Sequence, residues 1–394
     1  MAEVVAPISF ENTEIAFSYK SDYELKKAAW LFSLMNNNIL VKIGTRLTPI
    51  AFQLKLPITR LVRATIFDQF CGGETLEQCV PTTKKLAQHH VETILDYGVE
   101  AKETEQEFNK TVTEILKAFR FAQQNKHVPF VSIKVTGIAP FSLLEKIHAQ
   151  IKLSDKEIFQ WNLVKERMHK ICNAALNAGI GVMVDAEETW IQDPVDSLAM
   201  EMMLSYNKEH PIVYNTIQLY RIDRLDFLRK SFETSKNGKF ILAVKLVRGA
   251  YMEKERKRAH EKNYASPVQS KKEDSDRDYN AAVEFCFEHI DHLSFCVASH
   301  NEESALAAVN IAGQKNLSPD HPHLFFSQLY GMSDNMTFNL AHAGYNVSKY
   351  VPYGPVKEVV PYLMRRAQEN TSVGGMSSRE LMLIKKELKR RKYV

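Results

Sequence analysis

The chain has 394 residues, 45% of them hydrophobic and 25% charged, with a formal net charge of +4. That length can bury a sizeable core, and so small a charge surplus does not mark a nucleic-acid-binding face, which needs clustered basic residues. No run approaches ~18 apolar residues, which excludes a membrane-spanning helix, and the opening MAEVVAPISFENTE is neither secretory nor mitochondrial in character.

Five cysteines, Cys71, Cys79, Cys172, Cys286 and Cys296, form no CxxC and are odd in number. They read as reduced thiols in a reducing compartment, so a cytoplasmic location is expected.

Residues 1–90 read as a helical arm. Asp22 can cap a helix with apolar positions at Leu25, Ala28, Ala29, Phe32 and Met35, and a second helical stretch covers Ile39–Leu56. No Ser/Gly/Pro-rich linker follows, so the arm is expected to pack on the main domain. From residue 91 short β-rich runs alternate with longer helical stretches. The runs fall at 91–97, 131–137, 181–187, 213–220, 240–247, 293–299, 323–329 and 345–351. Their near-continuous apolar character suits strands buried on both faces of a parallel sheet. One intervening helix is well marked: Ser154 and Glu157 form a capping box and Gly179 supplies the stop. Another starts after Asn301 and ends at Gly313.

Eight strand–helix units in series predict an α/β fold, a (β/α)8 TIM-like barrel over 91–370, with an N-terminal helical arm and a C-terminal helix. A doubly wound sheet is the weaker alternative, because no GxGxxG follows the first strand. The last stretch, 371–394, reads as a basic helix with a thin apolar stripe at Leu381, Ile384 and Leu388.

Barrels gather reactive groups at the C-terminal ends of their strands. Those ends carry Lys134, Asp185, Gln218, Tyr220, Lys245, Arg248, Tyr251, Ser299, His300, Gln328, Tyr330, Tyr350 and Tyr353. Any one of them alone reads as a helix cap or a structural pair; together they point to a polar pocket. After the last strand, Tyr362, Arg365, Arg366 and Glu369 share one helical face. Adjacent guanidiniums call for an anion, so this face reads either as a carboxylate or phosphate site or as a solvated surface of Arg–Glu pairs. Lys245 fits a Schiff-base nucleophile, a fixed cation beside a cofactor, or a structural ion pair. No metal is expected: His89-His90 and His321/His323 lack companions at ligand spacing.

KLVRGAY (245–251), DAEE (185–188), ASHN (298–301) and YLMRRAQEN (362–370) resemble, in order and approximate spacing, the motifs of the proline dehydrogenase family, including the corresponding domain of bifunctional proline utilization proteins. The resemblance covers roughly 91–370. It implies a (β/α)8 barrel that binds FAD non-covalently, oxidises L-proline to 1-pyrroline-5-carboxylate and passes electrons to a membrane quinone, with pyrroline-5-carboxylate dehydrogenase as pathway partner. It assigns Lys134, Arg365 and Arg366 to the proline carboxylate. Tyr251, Tyr350 and Tyr362 would enclose the pyrrolidine ring, and Asp185 would order Lys134 and Tyr350. Glu369 would brace an arginine, and Glu74 would pair with the first arginine as a gate.

For the flavin, the resemblance implies Ala186, Gln218, Lys245, Val247, Arg248, Gly249, Ala250, Ala298, Ser299, His300, Asn301 and Gln328. Asp185 and Lys245 are the expected catalytic pair. Lysine at 245 departs from the arginine of many bacterial relatives and resembles the mitochondrial-type branch. Pro361 is expected to kink or shorten its helix. Tyr350 implies a preference for proline over 4-hydroxyproline.

Two other classes fit parts of the sequence. One is a Schiff-base aldolase using Lys245. The other is a basic interaction protein whose tail, with seven basic and two acidic residues between Arg379 and Lys392, binds nucleic acid or an anionic membrane. On the enzyme reading the tail is expected to make a peripheral contact at the inner face of the membrane.

Overall fold

A computed structural model describes residues 8–54, 56–99, 102–372 and 376–392; the side chains at 38, 49, 53, 368–372 and 376–377 lie outside that description. Eight strands close a barrel in chain order. They are β1 (Glu92–Tyr97), β2 (Phe130–Ile133), β3 (Gly181–Val184), β4 (Val213–Gln218), β5 (Leu242–Val247), β6 (Leu293–Ala298), β7 (Leu324–Leu329) and β8 (Val347–Tyr353). Every predicted run overlaps one of them, with β2 starting one residue before its run and β8 ending two residues after. β2 is shorter than its run, because the chain leaves the ladder at Lys134 and turns through a 3-10 segment, Val135–Gly137.

Register decides what faces inward. Phe130 pairs with Gly181, where a Cβ would meet the Phe130 ring at 2.4 Å, so glycine makes room for that ring. Tyr214 and Phe325 pack edge-on against Phe130, with centroids 5.2 and 5.0 Å away, and the Tyr214 hydroxyl bonds Ser294 at 2.9 Å. This apolar layer closes the N-terminal end. Alternation then puts Ser132 and Lys134 on the same inward face, nearer the C-terminal rim.

The marked helices form as their signals indicate. The helix Asp155–Ala178 is capped by Ser154 and Glu157 and ends at Gly179, whose φ is +67°. The Asp22 cap is corrected by one residue: Ser21 is the N-cap, because its hydroxyl accepts the Glu24 N–H while Glu24 accepts the Ser21 N–H.

The chain forms two compact units, one of residues up to Thr93 together with Ser327 onward, the other Ile94–Phe326. In the first, α1 (Thr13–Phe17), α2 (Asp22–Met35), α3 (Asn38–Gln53) and the helices Val356–Ser372 and Met376–Arg390 enclose Phe17, Leu25, Phe32, Val359 and Leu363. Helix Val356–Ser372 runs on through Pro361, so the expected shortening does not occur. Lys349 and Lys20 meet Asp334 at 2.9 and 3.0 Å, and Tyr19 donates to the same carboxylate at 2.7 Å. Both cations hold the Asp334 carboxyl far below the usual range.

The tail helix Met376–Arg390 turns its apolar stripe inward. Ile384 and Leu388 are buried in the core of this unit, with Leu381 packed beside them. Lys386 pairs with Glu11 at 3.2 Å, Arg390 with Glu14 at 3.3 Å and Arg391 with Asp22 at 2.9 Å. Helix packing claimed the apolar stripe, which is therefore not presented to a membrane.

At the start of β1, burial pushes the Glu92 carboxyl up from 4.5 to about 7, and its Oε2 has no hydrogen-bond partner among the described residues. The folded state thus holds this proton more tightly than the unfolded chain, so this carboxyl's contribution to stability is greatest below 4.5 and is lost as pH rises toward 7. Glu92→Gln should flatten that decline and stabilise the protein at pH 8 by about 1–3 kcal/mol, read from urea midpoints across pH. An unchanged pH slope would show that water already hydrates the carboxylate.

Candidate active site

The unit Ile94–Phe326 places four charged side chains together at the C-terminal ends of its strands. Asp96, fully buried near the end of β1, meets the Lys134 ammonium at 3.3 Å with both carboxylate oxygens. Lys134 also donates to Asp185 Oδ2 at 3.1 Å. The other oxygen of Asp185 accepts from the Ser132 hydroxyl at 2.7 Å and from Lys245. Asp185 therefore bridges two lysines, and the two carboxylates balance the two ammoniums. Buried ions persist only when paired and hydrogen-bonded in this way.

Strand register explains the convergence. Asp96 lies opposite Ser132 in the β1–β2 ladder, and Lys245 lies between Thr216 and Cys296 on its neighbours. Asp185 follows β3 directly, with its N–H bound to Ile133 O at 2.9 Å. Lys245 is thus paired with the Asp185 carboxylate.

A second cluster surrounds Arg248. Its guanidinium donates to Asp276 at 2.7 Å, Ser299 at 2.8 Å and Ser304 at 2.9 Å, and lies 4.3 Å above the Tyr279 ring. Asn301 caps the helix Glu302–Gln314 by accepting the Ser304 N–H, and the Ser299 hydroxyl accepts the Asn301 N–H. Arg248 and Ser299 are therefore rigidly placed beside a helix N-terminus, a setting suited to phosphate or hydroxyl groups. His300, Ala298, Ala250, Val247 and Ala186 are half-buried.

Gly249 has φ +138°, and a Cβ there would meet the Tyr220 ring at 2.2 Å. Gly249→Ala should therefore displace the KLVRGAY loop, costing about 1–3 kcal/mol by backbone strain and overpacking. The expected readout is a lower melting temperature; an unchanged one would mean that the loop absorbs the added Cβ without strain. Tyr251, the next aromatic, stands at the N-terminus of helix Met252–Lys262.

Gln218 is buried at the end of β4, its amide donating to Glu187 O at 2.9 Å while Oε1 has no partner among the described residues. An unmet buried acceptor invites a ligand donor. Glu187 itself is clasped by the Thr136 N–H and hydroxyl.

The other unit carries the remaining predicted residues. Tyr350 and Tyr362 are buried; Arg366 is buried with its guanidinium 5.3 Å from the Tyr362 ring, and Arg365 is half-buried. Gln328 Oε1 accepts from the Thr337 hydroxyl at 2.8 Å. Glu74 pairs with Arg63 at 3.0 Å and accepts the Val356 N–H at 3.3 Å. The Glu369 side chain lies outside the described residues.

Sequence reasoning missed Asp96, Ser132, Asp276 and Ser304. Asp96 carried a signal: a carboxylate inside an apolar run, at the parity that faces the barrel interior. Asp276 and Ser304 carried none, because only the fold brings their helices to Arg248.

The barrel and its strand-end ion cluster define a TIM-barrel enzyme. The model of the family described as "Proline dehydrogenase" matches residues 79–379. The chain is 33% identical over 384 residues to "Proline dehydrogenase 1, mitochondrial" of Dictyostelium discoideum, covering 86% of this chain and 67% of that protein. It is 34% identical over 322 residues to "Carbapenem antibiotics biosynthesis protein CarD" of Pectobacterium carotovorum subsp. carotovorum, covering 82% and 83%. Its fold matches proline utilization A from Bdellovibrio bacteriovorus, inactivated by N-propargylglycine, with TM-score 0.74 and 19% identity; the match covers 97% of this chain and 42% of that one. The chain belongs to the proline dehydrogenase family of oxidoreductases.

Proposed function

We propose that this protein oxidises L-proline to 1-pyrroline-5-carboxylate with bound FAD and delivers the electrons to a membrane quinone, opening proline catabolism. The observation that carries the reading is the Asp185 carboxylate joined to both Lys134 and Lys245 on a barrel of this family. The residues present fit a flavin: Gln218 offers an unmet buried acceptor, Gly249 a backbone free of a side chain, and Arg248 with Ser299 a fixed polar pair. When bound, FAD supplies a two-electron acceptor for the C–H bond next to the ring nitrogen.

The protein's own groups do the rest. Lys134, oriented by Asp96 and Asp185, binds the proline carboxylate together with Arg365 and Arg366. Three cations there also disfavour the substrate ammonium, which releases its proton and frees the nitrogen lone pair. Tyr251, Tyr350 and Tyr362 enclose the ring and exclude water. Lys245, Val247, Gly249, Ala250, Ala186, Ala298, His300, Asn301 and Gln328 hold the cofactor. Glu369 and Glu74 steady the arginines. The product passes to pyrroline-5-carboxylate dehydrogenase.

Anaerobic mixing of purified protein with L-proline should bleach the visible flavin absorbance. A protein that contains flavin and does not bleach would overturn the substrate. Buried Tyr350 leaves no space for a ring hydroxyl on this reading. Tyr350→Ser should therefore raise kcat/KM for 4-hydroxyproline relative to proline by roughly tenfold or more, the scale of one well-placed steric change. No relative gain in steady-state assays would remove Tyr350 from substrate choice.

A further inference from the structure

α3 has two unlike faces. Val41 is buried, Phe52 packs on the core of its unit, and Thr45 and Thr48 share that side. At about 100° per residue, Ile39, Ile43, Leu47, Ile50 and Leu54 fall on the opposite side in a single stripe. Those five are 48–70% exposed, far more than isolated surface apolar residues need explaining. The neighbouring α2 adds exposed Trp30 and Leu34, at i, i+4 spacing.

Charge identifies what covers this stripe. Between Asn36 and Phe67 the sequence has five basic residues, Lys42, Arg46, Lys55, Arg60 and Arg63, and no acidic one. Lys42 and Arg46 are exposed and border the stripe one helical turn apart. Among the described residues no helix is long and apolar enough to cross a membrane. An amphipathic helix with a bare apolar face and a purely basic border is the arrangement that lies in the headgroup layer of an anionic bilayer. A second copy of the chain would bring exposed Lys42 and Arg46 toward their own counterparts, a like-charge contact that disfavours it as the occupant.

We infer that α3 docks the protein on an anionic lipid surface, with Ile43, Leu47 and Ile50 in the interface and Lys42 and Arg46 on the headgroups. The purpose of the contact, access to a lipid-soluble electron acceptor, rests on the proposed function; the contact itself does not.

The test is co-sedimentation of the full chain, with its flavin, on phosphatidylcholine vesicles with or without phosphatidylglycerol. Binding is expected only with phosphatidylglycerol, and should weaken as salt is raised. Ile43→Ser/Leu47→Ser/Ile50→Ser and, separately, Lys42→Glu/Arg46→Glu should each lower vesicle affinity at least about tenfold. Both leave the packed face untouched, so circular dichroism and flavin bleaching by L-proline in solution should match the parent chain. Absence of binding to phosphatidylglycerol vesicles, or equal binding by either variant, overturns the proposal. So does a concentration-dependent dimer abolished by the Ser substitutions, which would assign the stripe to a second copy. Failure of proline to bleach the flavin sinks the proposed function and leaves vesicle binding as it is.

Discussion

On the proposed role of Lys134 as a carboxylate ligand, Lys134→Met should lower kcat/KM for L-proline by about two orders of magnitude or more, chiefly through KM. The same substitution removes the ammonium that meets both oxygens of Asp96, a side chain with no solvent exposure. Removing one partner of a buried ion pair costs about 3–5 kcal/mol, so the single variant should also melt early. The two effects separate in the double variant Asp96→Asn/Lys134→Met, in which no charge is stranded. Its urea midpoint should recover most of the loss, while KM stays high. Recovery of both would reduce Lys134 to a structural counter-ion; recovery of neither would place its role outside the Asp96 pair. The measurements are steady-state kinetics over a wide proline range and equilibrium unfolding on the same preparations.

Asp185→Ala should be the most damaging single change in the strand-end cluster. It removes from Lys245 the carboxylate that holds it and from Lys134 one of the two carboxylates that flank it, on side chains that are both nearly buried. Breaking a buried pair while one charge remains costs about 3–5 kcal/mol, and here two cations lose an oxygen each. Turnover should fall further than stability accounts for, since Lys134 loses the contact that aims it along the barrel rim. Asp185→Asn keeps one acceptor oxygen but turns an NH2 donor toward one of the lysines, so it should retain more stability than alanine and less than the parent. Comparing flavin content, melting temperature and single-turnover bleaching among the three forms checks this ordering. An alanine variant as stable as the parent would mean that water readily solvates both lysines.

Much of this was legible before any coordinates. The eight apolar runs predicted the strands because a parallel barrel buries both faces of each strand, which leaves little polar alternation to confuse the pattern. Ser154, Glu157 and Gly179 marked their helix because caps act within three or four residues. Lys134, Asp185 and Lys245 were picked out individually because charged residues inside apolar runs have no cheap place to go. Arg248 and Ser299 were picked out too, but the Asp276 and Ser304 contacts that fix Arg248 were invisible. They come from separate helices, and nothing in local composition says that two helix starts will flank one guanidinium.

Two amphipathic helices mark a limit of sequence pattern. The tail Met376–Arg390 was expected to make a peripheral membrane contact, whereas Leu388 is buried; α3 was read only as helical, and its Leu47 is exposed. Amphipathic pattern tells that a helix has an apolar side, never what that side meets.

The sequence by itself determined the strand order, the barrel class, the caps of the helix Asp155–Ala178 and the family, since each depends on short-range propensity or on motifs read along the chain. The tertiary structure alone decided that Asp96 completes the Lys134–Asp185–Lys245 network, which apolar helix face is covered and which is bare, and where Glu92 is pushed toward neutrality. Those properties belong to distances between residues far apart in the chain, and distance through space, which sets both desolvation and charge pairing, is not encoded in any local window.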